Sequence, residues 1–151
     1  MIRLRVYVSI ALLLCTFSSC DPCDNLDCAS NVDYLQLRIV NAGGTDLLFG
    51  SNRRYNPDSI RFYSLTGADT LFHNSQTVPL SGTGYDSILI ARFGIATQTA
   101  YMRLSNGDVD TLQLSYSSYD TKCCGKITSI STFKINNSAD LSGTGTQVII
   151  K

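Results

Sequence analysis

His73 is the only imidazole in the chain, so any serine nucleophile that needed a histidine base would have to use it. No Ser sits in a G-x-S-x-G elbow or another nucleophile signature, and His73 reads as a surface histidine at a strand end. Asn106, Asp108 and Asp110 place oxygens at i, i+2 and i+4, as at the start of a calcium loop. The loop's Gly and terminal bidentate Glu are missing, and Asn106-Gly107 between two alternating runs accounts for the same residues as a hairpin turn. Glycoside hydrolysis needs a carboxyl held neutral in an apolar pocket, whereas the Asp residues here lie beside turns and strand ends. Ser81 to Gly84 is glycine-rich but lacks the Gly-Lys-Ser/Thr ending of a phosphate loop and precedes a strand. No catalytic set, metal or cofactor is expected.

Cysteine carries the strongest chemical signal. Residues 1–20 read MIRLRVYVSIALLLCTFSSC, with Arg3 and Arg5 ahead of a short apolar run and Ser18-Ser19 before Cys20. That is the layout of an export signal, its core too short for a transmembrane helix. With Phe17, Ser18 and Ser19 preceding Cys20, the cleavage region resembles the lipobox of bacterial lipoproteins. The resemblance implies cleavage before Cys20 and acylation there by diacylglycerol and a further fatty acid such as palmitate. Several acyl chains, each worth about 0.8 kcal/mol per buried methylene, hold a protein stably on a bilayer.

Cys15 leaves with the signal and Cys20 is acylated, so Cys23, Cys28, Cys123 and Cys124 remain. An even number in an exported chain points to disulfides. Pairing Cys123 with its neighbour Cys124 closes a strained ring. Either remaining connectivity ties segment 23–28 to the pair 123–124, and the sequence does not choose between them. A four-thiolate zinc site is the competing use, but the C-x4-C spacing with adjacent cysteines suits it poorly.

Lys and Arg number twelve, as do the acids, and every acid is Asp. Loss of Arg3 and Arg5 leaves ten bases against twelve acids, a charge of −2. There is no basic face for nucleic acid. Asp21, Asp24 and Asp27 follow Cys20 with no base among them. In Bacteroidota-type lipoproteins such an acidic stretch looks like a signal for display on the outer face; physically it is a solvated tether. The expected address is the cell envelope, anchored in the outer membrane, with surface and periplasmic faces both open.

Asp favours turns over helix interiors, and the chain lacks a helical periodicity. Instead, period-two runs recur: Leu35-Leu37-Ile39, Ile60-Phe62, Tyr85 to Phe93, Thr97 to Leu104, Val109 to Tyr116, Ile127 to Ile135 and Gln147 to Ile150. Val78-Pro79-Leu80 is short, and its proline confines it to an edge or a non-strand. The expectation is a signal peptide at 1–19, a Cys/Asp-rich tether at 20–31 and an all-β antiparallel sandwich at 32–151. Seven to nine strands in an immunoglobulin-like or transthyretin-like arrangement fit the spacing.

Arg53, Arg54 and Tyr55, in the longest polar connection, are the foremost candidates for a binding surface, with Tyr116 and Tyr119 as a second aromatic group. The strings Asp46-Leu47-Leu48-Phe49-Gly50, Tyr55-Asn56-Pro57-Asp58-Ser59-Ile60 and Cys123-Cys124-Gly125 resemble those of small Bacteroidota lipoproteins. That resemblance supports address and fold and names no activity. The leading expectation is a lipid-anchored, non-catalytic binding or accessory sandwich for a protein or glycan partner. A periplasmic inhibitor or assembly factor, or a small enzyme without a recognised motif, are the alternatives.

Overall fold

Alternation along Tyr34–Val40 sends Leu35, Leu37 and Ile39 to one face and leaves Gln36 and Arg38 on the other, which makes this segment strand β1. The computed structural model describes residues 23, 28, 33–80 and 87–151; the signal peptide, Cys20, most of the tether and Ser81 to Gly84 lie outside them. Nine further strands follow: β2 (Arg61–Thr66), β3 (Asp69–His73), β4 (Ser75–Pro79), β5 (Ser87–Arg92), β6 (Thr99–Ser105), β7 (Asp108–Thr121), β8 (Gly125–Ile135), β9 (Leu141–Ser142) and β10 (Thr146–Ile150). A four-stranded sheet runs β10-β1-β5-β4 and a six-stranded sheet runs β3-β2-β6-β7-β8-β9. The two pack as a β-sandwich whose core includes Leu37, Phe62, Phe93, Met102, Leu112 and Phe133.

The described strands number ten, against seven to nine expected, because two segments each divide between the sheets. The β3–β4 segment crosses at Asn74 and the β9–β10 segment crosses at 143–145, so sheet-switching chain flanks both sides of the core. Another departure is the β1–β10 pair, which is parallel where antiparallel pairing was expected throughout. As the proline implied, β4 is an edge strand. The Asn106-Gly107 hairpin joins β6 to β7 with Ser105 opposite Asp108.

At the second crossing Gly143 lies against the backbone of Ile130, and a Cβ there would stand 2.1 Å from the Ile130 carbonyl oxygen. This contact falls where β8 is irregular. Ser115 faces Thr132, but Tyr116 faces Ile130, leaving Ser131 as the extra residue of a bulge. The bulge keeps Ile130 and Phe133 on the core face despite their three-residue spacing.

Beyond that bulge the β7–β8 ribbon continues as a two-stranded arm, from Tyr116 opposite Ile130 to Thr121 opposite Gly125. The arm's turn contains Cys123 and Cys124, which bond to Cys23 and Cys28 respectively. The four thiols are thereby committed to disulfides, which removes the zinc alternative and places the chain in an oxidising compartment. Gly125 takes φ +66° at the turn's exit, a conformation that glycine adopts without a Cβ clash.

Replacing Gly143 by Ala is expected to cost about 2–3 kcal/mol in urea unfolding, because the obstructing atom is backbone and not a movable side chain. The bridges span 100 and 96 residues and end on adjacent cysteines, so either one alone closes nearly the same long loop. Removing one pair by Ser substitution should therefore cost about 2 kcal/mol, the entropy of the small residual ring. Removing the second should cost about 4.7 kcal/mol more, and denaturant titration of the single and double variants measures the asymmetry.

Candidate functional site

The connection between β1 and β2 is built around a buried carboxylate. Asp46 accepts from the backbone N–H groups of Leu48 and Phe49 at 2.7 and 2.9 Å through one oxygen. Its other oxygen accepts from the Ser87 N–H and hydroxyl at 2.7 and 3.0 Å. Four donors on one buried anion satisfy it and turn the chain so that Leu47 and Leu48 enter the core. The Leu47 carbonyl then accepts from both Arg54 and Tyr55 N–H groups, closing the loop on itself. Asn56 caps a 3-10 turn at Pro57–Ser59 by accepting from Asp58 N–H, and Pro57 supplies the preset φ.

Tyr55 was expected on the binding surface; the structure corrects this. The residue is 4% exposed, and its hydroxyl donates to Asp108 at 2.5 Å. Asp108 and Asp110, two apart on β7, point to the same face and meet the ammonium of Lys151. Lys151 Nζ donates to Oδ1 of each at 2.7 Å and lies 2.6 Å from Asp110 Oδ2 as an ion-pair contact. Asn136 Nδ2 donates to Asp110 Oδ1 at 2.6 Å. The two carboxylates that sequence spacing offered to calcium hold an internal ammonium instead. Desolvation would raise the Asp108 carboxyl, but hydrogen bonds from Lys151 and Tyr55 outweigh it and hold the group below its usual range. Desolvation likewise opposes the Lys151 charge, and the bonds to Asp108 and Asp110 outweigh that too, raising its pKa.

Seated on this cluster, the loop presents Arg53 and Arg54 to solvent. Arg54 lies over the Tyr55 ring at 5.4 Å. Arg53 makes no side-chain hydrogen bond or ion pair among the described residues. A groove of about 540 Å³ runs between this loop and β4, with Arg53, Asn56, Asp58, Arg61 and Gln76 on its walls. Arg61 donates through one nitrogen to the Asp58 and Ile60 carbonyls, leaving its other guanidinium N–H groups unpaired among the described residues. Two incompletely satisfied guanidinium groups on one groove make it suited to carboxylate- or hydroxyl-bearing partners. Across β4, a second trough of about 490 Å³ on the outer face of the smaller sheet is lined by Tyr34, Gln36, Asn74, Gln76, Ile90 and Arg92. Arg92 there is already engaged, over the Tyr34 ring at 5.5 Å and 3.6 Å from Asp33.

The second aromatic group lies elsewhere. Tyr116 is partly buried and donates to the Gly94 carbonyl; burial and the nearby Asp33 charge push its pKa up to about 12. Tyr119 is exposed on the arm, paired with Ile127. Tyr119 is eleven residues along β7 from Asp108, about 36 Å at strand rise, so the two candidate groups form no common surface. His73 ends β3, as expected, but is half-buried and not a surface residue. Its Nε2 is 3.1 Å from the buried Ser64 hydroxyl, its ring lies against Phe93, and burial lowers its pKa.

Nothing matches. No family model fits the sequence, and comparison with curated proteins and with solved structures found no similar chain. The site must therefore be read from its own geometry. Sequence reasoning missed Arg61, Gln76 and the Lys151 cluster. Arg61 and Gln76 were visible as polar positions on strands, but only the β2–β4 approach to the loop gives them a common groove.

Lys151→Met should destabilise the protein by about 3–5 kcal/mol at pH 7, because it strands two carboxylates at a largely buried site. A carboxyl whose folded pKa lies below the unfolded value gives stability above that value and loses it on acidification. The difference between wild type and variant should thus shrink as pH falls below about 4, the usual Asp range, which thermal melts from pH 7 to pH 3 will follow.

Proposed function

We propose that the protein is a lipid-anchored envelope lipoprotein, acylated at Cys20, whose sandwich is a non-catalytic binding or accessory domain for a protein or glycan partner. The observation that carries the binding reading is the groove holding Arg53 and Arg61, with guanidinium donors that no described residue satisfies. Support for the envelope address comes from the two disulfides and from the export signal that stops just before Cys20. Among the described residues no helix is long and apolar enough to cross a membrane. The non-catalytic reading is supported by how the titratable groups are spent. His73 is packed against Phe93 and bonded to Ser64, and Asp108 and Asp110 are tied to Lys151. In the outer membrane, either leaflet would present the groove to a partner.

Two measurements test this. Cys20→Ala should abolish incorporation of labelled palmitate in growing cells; unchanged labelling removes the anchor. The domain lacking Cys20 should capture its partner from envelope or glycan extracts, and Arg53→Ala with Arg61→Ala should lower that capture at least tenfold, in keeping with a loss of about 1.4 kcal/mol or more. Equal capture by the double variant would rule the groove out as the binding site.

A further inference from the structure

We propose that the turn of the β7–β8 arm is the membrane-facing surface of this protein, seated at the lipid headgroups, and that the loop groove stands at the far end of the molecule. The inference rests on acylation of Cys20, the anchor proposed above. Only Asp21 and Pro22 separate Cys20 from Cys23, so the fully extended chain spans at most about 11 Å between them. Cys23 is bonded to Cys123 in the arm's turn, with 5.3 Å between their Cα atoms. An acylated cysteine sits at the headgroup–hydrocarbon boundary. The turn is therefore held within about 16 Å of that boundary, whatever the rest of the domain does. The second bridge, from Cys28 to the neighbouring Cys124, opposes pivoting about the first.

Covalent reach, and not charge, does the docking. Lys122 and Lys126 are exposed at the turn, but Asp120 faces Lys126 across the arm and Asp21, Asp24 and Asp27 lie on the tether. Acids outnumber bases there by four to two, so anionic lipid offers no attraction. Tyr119, 56% exposed on the arm, has the apolar ring and polar hydroxyl suited to headgroup depth. From Thr121 back to Asp108, β7 is fourteen residues, about 44 Å of strand. Asp108 binds Tyr55, so the Arg53 loop belongs to the opposite end.

The chain has no Trp, which makes single-Trp probes direct. Tyr119→Trp reports the arm, Val109→Trp the far end of β7, and Val148→Trp the outer face of the smaller sheet; all three positions are exposed. Each variant, acylated and full-length, is reconstituted in phosphatidylcholine vesicles carrying a nitroxide on the headgroup, after intact mass has established the acyl groups. Indole emission from the Tyr119→Trp variant should be quenched at least threefold more than that from Val109→Trp or Val148→Trp, with no change when phosphatidylglycerol is added. Combining Tyr119→Trp with Cys23→Ser and Cys123→Ser lengthens the reach to the eight residues up to Cys28, and should weaken the quenching. Missing acyl mass overturns the anchor and the tip assignment together. Acyl mass with equal quenching at the three positions, or with none, overturns the tip assignment alone.

Discussion

One ammonium group holds four segments of this chain together. Lys151 follows β10 in the smaller sheet, and its N–H continues the ladder by donating to the Val40 carbonyl. Its side chain reaches Asp108 and Asp110 on β7 in the larger sheet. Through Asp108 it is coupled to Tyr55 in the β1–β2 loop, and through Asp110 to Asn136 after β8. A hydrophobic core has no directional preference, so it fixes which faces meet but not how one end of a sandwich is closed. Here the closure is polar, and it works because almost every buried lone pair and proton has a partner. The groove inherits its shape from that closure, since Tyr55 is both a ligand of the cluster and the residue next to Arg54 and two from Arg53.

Much of the fold was legible because period-two alternation and turn chemistry agree. Leu35, Leu37 and Ile39, then Ala100, Met102 and Leu104, reach the core as their spacing implies. Asn106-Gly107 makes the hairpin it signals. What escaped was anything set by long-range pairing. The parallel β1–β10 ladder joins strands more than a hundred residues apart, and nothing local distinguishes a parallel partner from an antiparallel one. The bulge at Ser131 was present in the text as an odd spacing, Ile130 to Phe133, that strict alternation forbids. It reads as a bulge only once the pairing with β7 is known, where Ser115 faces Thr132 and Tyr116 faces Ile130.

The candidate site was less legible, and for a physical reason. Arg and Tyr in a polar loop signal either a surface or a structural anchor, and the two roles differ only in what lies opposite. Arg53 and Arg54 met solvent, whereas Tyr55 met Asp108 across the domain. The cysteine pattern was half resolved for the same kind of reason. Ring strain between adjacent cysteines disfavoured one connectivity, but the choice between the other two needed the direction in which the N-terminal segment approaches the arm, and that approach pairs Cys23 with Cys123.

The continuity of β7 has a mechanical consequence. Tension applied between Cys23 and the loops at the opposite end would run along β7 and β8, parallel to the strands. Antiparallel ladder bonds lie perpendicular to the strands, so such a pull loads the whole row together and does not open it one bond at a time. At one end the row gives way to two covalent sulfur bridges, and at the other to the Lys151 cluster. The ribbon is thus a strut, strongest along the line that joins its two fastenings.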